Sequence, residues 1–225
     1  MRKLNLTLLV SFTSLISWAQ LVLQDPVSSK VFNSQKYSNV KGSPFLYDRW
    51  IKGTVTTSRG VYKGIDLKLD IYSNTLFFNK NDEPYELVDN VREFILMPVL
   101  SDSSTYQYYK KGMTAPGLTS EQYVRVLIEK KTKLYRSDII MVSEMSEINV
   151  GMIKTFSVSI RYFLGKENDL KLIKPTKKEV INALGDKELE IKKFIDANEL
   201  SMKKEVDFVS VLEYYNSLKF AEASR

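Results

Sequence analysis

The clearest pattern in the chain is a stretch in which apolar and polar side chains alternate. From Ile65 to Tyr72, aliphatic residues occupy the odd positions, and charged residues or Tyr72 occupy the even positions. Successive side chains of a strand point to opposite faces, so this stretch predicts a β-strand with one face on a core and the other in water. Gly60 before it and Ser73-Asn74 after it are typical of turns, which predicts a β-meander.

Similar runs of β-branched, aromatic and alternating residues predict further strands along the chain. Together with the meander, the predicted strands cover residues 49–57, 61–72, 75–79, 85–88, 91–97, 106–110, 123–129, 133–136, 156–163 and 169–173. Residues 141–153 are rich in Met, Ser and Glu, and their pattern is compatible with a loop, a frayed helix or disorder. The sequence leaves these three interpretations open.

Helical spacing replaces alternation in the last quarter of the chain. Thr176 and Glu179 have the spacing of a capping box, in which the Thr hydroxyl accepts a hydrogen bond from the third helical amide. The first helix should stop at Gly185, the second should begin after Asp186 as its N-cap, and the third should cover residues 204–219. Such short amphipathic helices are not stable alone, so we expect them to pack on one another or on the sheet.

These patterns predict an α+β protein. We expect a curved or barrel-like antiparallel β-sheet over residues 34–173, followed by a small C-terminal helical element over residues 174–220. The predicted domains are a β domain over residues 20–173 and a helical segment over residues 174–225, packed on or beside it. A chain of this length can bury a large core without disulfide bonds, and the sequence contains no cysteine.

The first nineteen residues have the pattern of a signal peptide. Arg2 and Lys3 form a basic start, an apolar run follows, and Ser17-Trp18-Ala19 supplies small residues where a signal peptidase would cleave, before Gln20. The alternative is a transmembrane anchor, which the run is too short to favour, since a bilayer core needs about 20 apolar residues. We therefore expect an exported protein of the periplasm or cell surface, without stable membrane insertion after cleavage.

The absence of histidine narrows the possible chemistry. The chain has neither histidine nor cysteine, which excludes Ser-His-Asp and Cys-His catalysis and most zinc and copper sites. Glycoside hydrolysis by two carboxylates is the main enzyme class that remains, with Asp48, Asp66, Asp70 and Glu93 as candidate acids. Because Asp66 and Asp70 fall on the polar face of the predicted strand, solvated carboxylates are the favoured interpretation. We expect no catalytic residue and no cofactor.

One loop groups oxygen ligands of the kind that hard cations prefer. Asn79, Asn81, Asp82 and Glu83 lie close together in sequence. The loop lacks the glycine and the acidic count of an EF-hand. A hairpin turn ending at Pro84 explains the same residues, and we expect no metal site.

The formal net charge of +6 is modest and scattered. Lysine pairs such as Lys130-Lys131 and Lys177-Lys178 have acidic residues nearby, whereas nucleic-acid-binding proteins gather their positive charge on one face or arm. We therefore expect no nucleic-acid partner. Weak attraction to an anionic surface stays open beside the favoured interpretation, which is ordinary solvated charge.

Tyrosine is the remaining chemical signal. An exposed platform of tyrosine rings could contact sugar rings or a partner protein. The candidate contact residues are Tyr62, Tyr72, Tyr106, Tyr108 and Tyr109, with Tyr123 beside them. The alternative, which we favour, is that these tyrosines are strand residues with hydrated hydroxyl groups.

Several short motifs resemble a group of secreted proteins of Bacteroidetes-type bacteria. The N-terminal block reads Tyr37-Ser38-Asn39-Val40-Lys41-Gly42-Ser43-Pro44 and leads to Trp50-Ile51-Lys52-Gly53-Thr54-Val55. The C-terminal part reads Leu184-Gly185-Asp186-Lys187, then Ile191-Lys192-Lys193-Phe194-Ile195, then Glu213-Tyr214-Tyr215-Asn216. The resemblance implies export and a β-then-α layout, and it assigns no role to any residue.

Three functional hypotheses follow. The first is a non-enzymatic interaction or scaffold protein, whose partner is another protein of the cell envelope. The second is a small-ligand or glycan binder that uses the concave face of the sheet. The third is a carboxylate-dependent hydrolase, which requires two facing acids about 5 to 10 Å apart.

Overall fold

The structure is a computed structural model that describes residues 34–88, 90–147, 151–166 and 169–223. The expected signal peptide and the residues up to 33 lie outside this part. Strands are β1 Val40–Lys41, β2 Ile51–Thr57, β3 Gly60–Asp70, β4 Thr75–Lys80, β5 Glu83–Glu86, β6 Val91–Leu96, β7 Gln107–Lys110, β8 Val124–Glu129, β9 Thr132–Glu147, β10 Gly151–Lys166 and β11 Asp169–Ile173. Helices are α1 Lys177–Ala183, α2 Glu188–Ala197 and α3 Glu205–Ala223.

All the strands of the described residues belong to one sheet. Its order is β1-β10-β9-β8-β7-β6-β2-β3-β4-β5, and β11 also pairs with β10. Every pairing is antiparallel except that of β1 with β10, so the sheet is mixed rather than purely antiparallel. The sheet does not close on itself. The predicted α+β class, with a curved sheet followed by C-terminal helices, is confirmed.

Contacts across the sheet reveal its curvature. Asn74, in the turn after β3, donates a hydrogen bond from Nδ2 to the backbone oxygen of Glu121 (2.7 Å) and accepts one at Oδ1 from the amide of Tyr123 (3.0 Å). The ring centroids of Tyr72 and Phe156 lie 5.0 Å apart. Five strands separate β3 from β10 in the order of the sheet. Because the residues after β3 reach both the segment that leads into β8 and β10 itself, the sheet curls round towards itself.

The strand register defines two faces of the sheet. Phe94, Tyr109, Arg125, Arg136 and Tyr162 are successive cross-strand partners from β6 to β10. Directly opposite residues point to the same face, and we call the face that carries this row the inner face. The opposite, outer face holds a smaller buried cluster of Leu118, Val124, Tyr135 and Phe163.

Two buried clusters lie on the inner face. One belongs to β2, β3, β4 and β6 and includes Val55, Leu67 and Phe94. The other joins Leu134 of β9 to the three helices, and Phe208 of α3 is fully buried in it. The helices therefore cover the part of the inner face formed by β8 to β11. In the described residues no helix is both long enough and apolar enough to cross a bilayer.

The first helix begins as the sequence predicts. The hydroxyl oxygen of Thr176 accepts a hydrogen bond from the amide of Glu179 at 3.3 Å. The predicted N-cap of the second helix is wrong: Lys187 precedes α2, and no side chain caps it. The carboxylate of Asp186 instead accepts a hydrogen bond from the hydroxyl of Tyr215 (2.8 Å) and pairs with Lys219 (2.6 Å). Asp186 thus ties α3 to the start of α2.

Asp70 is a second correction. The sequence places it on a solvated face, but the structure buries it completely. Its carboxylate accepts hydrogen bonds from the hydroxyl of Tyr37 (2.6 Å) and from the amides of Tyr72 and Ser73 (2.9 Å each). The burial arises because the segment before β2 lies over this end of β3, where Phe45 forms a β-bridge with Asp70. The carboxylate closes the turn between β3 and β4 and holds that segment.

The region left open by the sequence is mainly strand. β9 continues to Glu147, well beyond the predicted end at residue 136, and β10 starts at Gly151. Residues 148–150 lie outside the described part of the chain. A long two-stranded hairpin therefore replaces the loop, helix or disorder that we considered.

Candidate interaction surface

The structure separates the five candidate tyrosines. Tyr62 and Tyr109 are 7% and 3% exposed, and the ring of Tyr109 stacks on that of Phe94. Burial raises the pKa of the Tyr109 phenol well above its usual range. Tyr106 and Tyr108 are half-buried, whereas Tyr72 is 48% exposed. Because two of the five are buried and only Tyr72 is exposed, they do not form one exposed platform.

The hydroxyls of the two half-buried tyrosines already have partners. Tyr106 donates a hydrogen bond to the backbone oxygen of Leu100 at 2.8 Å, and Tyr108 donates one to the carboxylate of Glu93. Burial is the main effect that raises the pKa of Tyr108 above its usual range, and this hydrogen bond is the next largest. These contacts hold the residues around β7 in place.

The candidate acids have separate environments. Asp48 is exposed, and Asp66 pairs with Lys52 at 2.9 Å. Asp70 is enclosed by its three hydrogen bonds, and Glu93 accepts the hydroxyl of Tyr108. Three of the four carboxylates thus have a structural partner of their own, and that of Asp70 is closed off from solvent.

The inner face also carries a polar network that the sequence does not predict. The guanidinium of Arg136 donates to both oxygens of Asp138 and to Glu205 (2.8 Å), and Arg125 donates to Glu205 (3.1 Å). The hydroxyl of Tyr162 also donates to Glu205, at 3.2 Å. Two cations face two carboxylates, so the charges balance. The network anchors the start of α3 to β8, β9 and β10.

The pKa values of this network fit a structural role. Burial acts to lower the pKa of Arg136, but its bonds to Asp138 and Glu205 outweigh that effect and raise the pKa above its usual range. Burial and the charge of Glu205 raise the pKa of Tyr162 to about 12. Arg136 therefore stays charged and Tyr162 stays neutral near pH 7. No sequence signal links these residues, because Glu205 is distant along the chain from its partners.

The loop considered as a cation site is a tight turn. Asn81 and Asp82 have φ angles of 53° and 64°, and they connect Lys80 to its strand partner Glu83. Two central residues with positive φ are the mark of a type I′ hairpin, which favours Asn and Asp. In the described residues no group of three or more acidic side chains is close enough to hold a metal ion.

The most unusual feature of the molecule is the end of the β9–β10 hairpin that extends beyond the neighbouring strand β8. The two strands pair in unbroken register from Thr132 and Lys166 to Glu147 and Gly151. β8 accompanies β9 only as far as Arg136, and in the described chain no other strand continues along that edge. We call residues 137–147 and 151–161 the ribbon. At about 3.4 Å per residue it extends roughly 35 Å.

The ribbon exposes apolar side chains on both faces. Met145 is 72% and Val158 is 57% exposed. Its other exposed apolar residues are Met141, Val142, Met152 and Ile160. Soluble proteins rarely expose contiguous apolar surface unless it contacts a partner.

The inner face of the ribbon carries the most continuous apolar surface. Val142 is the cross-strand partner of Phe156, and Ile140 is the partner of Val158. Ile160 follows on the same face, because it stands two residues after Val158. We call the five residues Ile140, Val142, Phe156, Val158 and Ile160 the ribbon patch.

The ribbon patch continues into an aromatic cluster. The ring centroid of Phe156 lies 5.6 Å from that of Tyr37 and 5.0 Å from that of Tyr72. Tyr72 is therefore the sequence-predicted contact residue that the structure places beside the patch. Towards the tip, the ion pair of Lys154 with Glu144 (3.0 Å) gives this face of the ribbon a charged rim. An apolar centre with a polar rim is the usual anatomy of a protein interface.

Two cavities lie near the other end of the hairpin. One of about 430 Å³ opens between β10, β11 and α1, and its lining includes Leu164, Lys171 and Asn182. One of about 270 Å³ lies beside Tyr135 and Gly165. The first has lysine and carboxylate side chains in its wall, and neither lies on the ribbon.

Comparison of the chain with protein-family models, with curated proteins and with solved structures found no match.

Proposed function

We propose that the chain is an exported, non-enzymatic interaction or scaffold protein of the periplasm or cell surface, and that the ribbon is its contact surface for another envelope protein. The observation that carries the proposal is the ribbon, which exposes Met145, Val158 and other apolar side chains that belong to neither of the two buried inner-face clusters. Burying apolar surface is the main favourable term in protein association. A surface of this kind therefore suits a protein ligand.

The geometry of the ribbon supports this role. A two-stranded hairpin is only marginally stable without a covering layer. In this one β1 pairs only with Lys154 and Thr155 of β10, and the side chains over residues 141–147 on β9 are exposed. Its apolar content is therefore not explained by the stability of the free chain. Contact with a partner would cover the ribbon patch and stabilise the hairpin at the same time.

Export is supported by the N-terminal pattern around Arg2, the apolar run and Ala19. Expression in the host, followed by fractionation and intact-mass measurement, tests it. We expect a mature chain that starts at Gln20 in the periplasmic or surface fraction. A chain of full mass in the cytoplasm would contradict export.

Site-specific photo-cross-linking tests the contact surface. A photoreactive residue replaces Val158, in the ribbon patch, or Val206, which is 69% exposed on α3. In host cells, position 158 should give a discrete adduct larger than the chain, and position 206 should give little or none. The variant V158K should bind the same partner at least tenfold more weakly. Equal labelling from both positions, or no adduct from position 158, would contradict the proposal.

A further inference from the structure

The edge of β9 is the longest unpaired strand edge in the described sheet. Residues 137–147 pair with β10 on one side and, within the described chain, with no strand on the other, although Ser137 at its start is buried (3% exposed). The opposite flank of the hairpin is partly covered, because β1 pairs with Lys154 and Thr155. An unpaired edge presents alternating N–H and C=O groups that can pair with another strand.

This edge lacks several of the features by which proteins protect such strands, although it carries three acidic residues. Lysine, proline, bulges and very short length discourage edge pairing. Residues 137–147 read SDIIMVSEMSE, with no Lys, Arg, Pro or Gly. Their register with β10 shows no shift. In contrast, β5 at the far end of the sheet has only the four residues Glu83–Glu86 and includes Pro84.

The charges on the β9 edge already have partners within the chain. Asp138 is bound by Arg136, and Glu144 pairs with Lys154. Glu147 pairs with Lys41. The edge therefore carries no unpaired charge that would select a basic strand. An occupant with the same near-neutral, apolar edge fits best, and a second copy of the chain has that edge.

The sequence of the edge also fits its own antiparallel copy. A two-fold axis through Val142 pairs residues 138–146 of one copy with the same residues of the other. It places Asp138 opposite Ser146 and Glu144 opposite Ile140, so no acidic residue faces another. A two-fold axis at Met141 would instead place Asp138 opposite Glu144, and like charges in direct opposition destabilise a strand pair.

We propose that two copies of the chain pair antiparallel along residues 138–146, with Val142 of each copy opposite Val142 of the other. The proposal rests on the proposed function, since it names the occupant of one edge of the same ribbon. Such a contact is isologous, as in most homodimers. It joins the two sheets and brings the two ribbon patches side by side on one face.

Charge substitutions at the two-fold axis test this register. The mature chain should be a dimer by light scattering coupled to size-exclusion chromatography, and V142K and V142E should each be monomers. An equimolar mixture of V142K and V142E should form a dimer again, because opposite charges then meet across the axis. V158K is the matched control. Val158 is an exposed valine on the same face but belongs to β10, so V158K should remain a dimer.

Three outcomes would overturn the pairing. A monomeric wild-type chain would contradict the pairing by itself, before any variant is measured. A V142K chain that still dimerises, or a mixture that stays monomeric while circular dichroism shows both variants folded, rules out this register. If the chain is monomeric but position 158 still cross-links an envelope protein, the second copy is wrong and the proposed function stands. If it dimerises but no envelope protein is captured, the pairing stands and the proposed function fails.

Discussion

The curled body of the sheet and the ribbon use the same sequence pattern with opposite results. In β3, Leu67 and Leu69 alternate with charged residues and are buried in the inner-face cluster. In β10, Val158 and Ile160 alternate with Ser159 and Arg161 in the same way, yet both are exposed. The strand itself is therefore equally well encoded in the two regions, and the difference lies in what packs against it.

This difference shows what alternation can and cannot specify. Alternation fixes which side chains share a face, because the side-chain period of a strand is two residues. It does not fix whether another layer covers that face. In the body, the curl of the sheet and the helices supply that layer, whereas in the ribbon Tyr37 and Tyr72 cover Phe156 but Val158 and Ile160 stay exposed. The following predictions test whether the two regions differ energetically as they do structurally.

The largest expected effect is the loss of a core ring beneath the helices. Phe208 is fully buried, and its ring centroid lies 5.5 Å from that of Tyr162. Replacing Phe208 with alanine should lower the free energy of unfolding by about 3–5 kcal/mol, because the cavity cannot collapse fully. Urea unfolding monitored by circular dichroism measures the change.

Val158→Ala is the control for this prediction. The side chain is 57% exposed in the ribbon, so its loss should change stability by less than about 0.5 kcal/mol. Equal effects of the two substitutions would contradict the comparison, since they would mean that the ribbon patch stabilises the free chain as the core does.

An intermediate effect is expected at the polar network. Arg136→Met leaves the carboxylates of Asp138 and Glu205 without this cation, and the Asp138 side chain is only 4% exposed. We expect a loss of about 2 kcal/mol, below the roughly 3–5 kcal/mol of a fully buried pair, because the network is partly solvated and Arg125 still binds Glu205. Chemical unfolding at pH 7 measures it.

The matched change in the ribbon is Lys154→Met, which breaks the exposed pair with Glu144. Surface ion pairs contribute about 0–1 kcal/mol, so this variant should unfold close to wild type. If Lys154→Met cost as much as Arg136→Met, the ribbon ion pairs would be structural anchors rather than a solvated rim.

Local patterns were sufficient to predict most of the elements. The alternation around Leu67 gave β3 its correct faces for the aliphatic side chains, and the capping pair at Thr176 located the start of α1. β11 runs over the predicted residues, 169–173. These features depend on neighbours a few residues apart, which is the range that periodicity describes.

The features that were missed depend on distant residues. β9 extends to Glu147 because it pairs with β10 over its whole length, although its own Met, Ser and Glu content is indecisive. Asp70 is buried by the preceding segment through Tyr37 and Phe45. The exposure of the ribbon also depends on distant residues. β8 ends before it reaches the ribbon, and the helices cover the sheet only up to that region.

The smallest expected effect concerns Asp186, the residue that the sequence wrongly predicts as a helix cap. It contacts Lys219 (2.6 Å), Lys166 (3.3 Å) and the hydroxyl of Tyr215 (2.8 Å). Partial burial acts to raise the pKa of Asp186, but the hydrogen bonds from Lys219 and Tyr215 and the charge of Lys166 hold it well below its usual range. The ionised form is therefore the one that stabilises the fold.

Asp186 should therefore stabilise the fold at neutral pH and lose that effect in acid. An unfolded aspartate has a pKa of about 3.9, so the contribution of Asp186 is complete above that value and is lost as the pH falls through the lower folded pKa. Asp186→Asn should cost less than about 1 kcal/mol at pH 7, because the site is partly exposed. The difference from wild type should shrink when unfolding is measured below pH 4. Asp169→Asn, which removes an exposed partner of Lys171, serves as control. A difference that stayed constant to pH 2 would mean that Asp186 acts through the shape of its hydrogen bonds rather than through its charge.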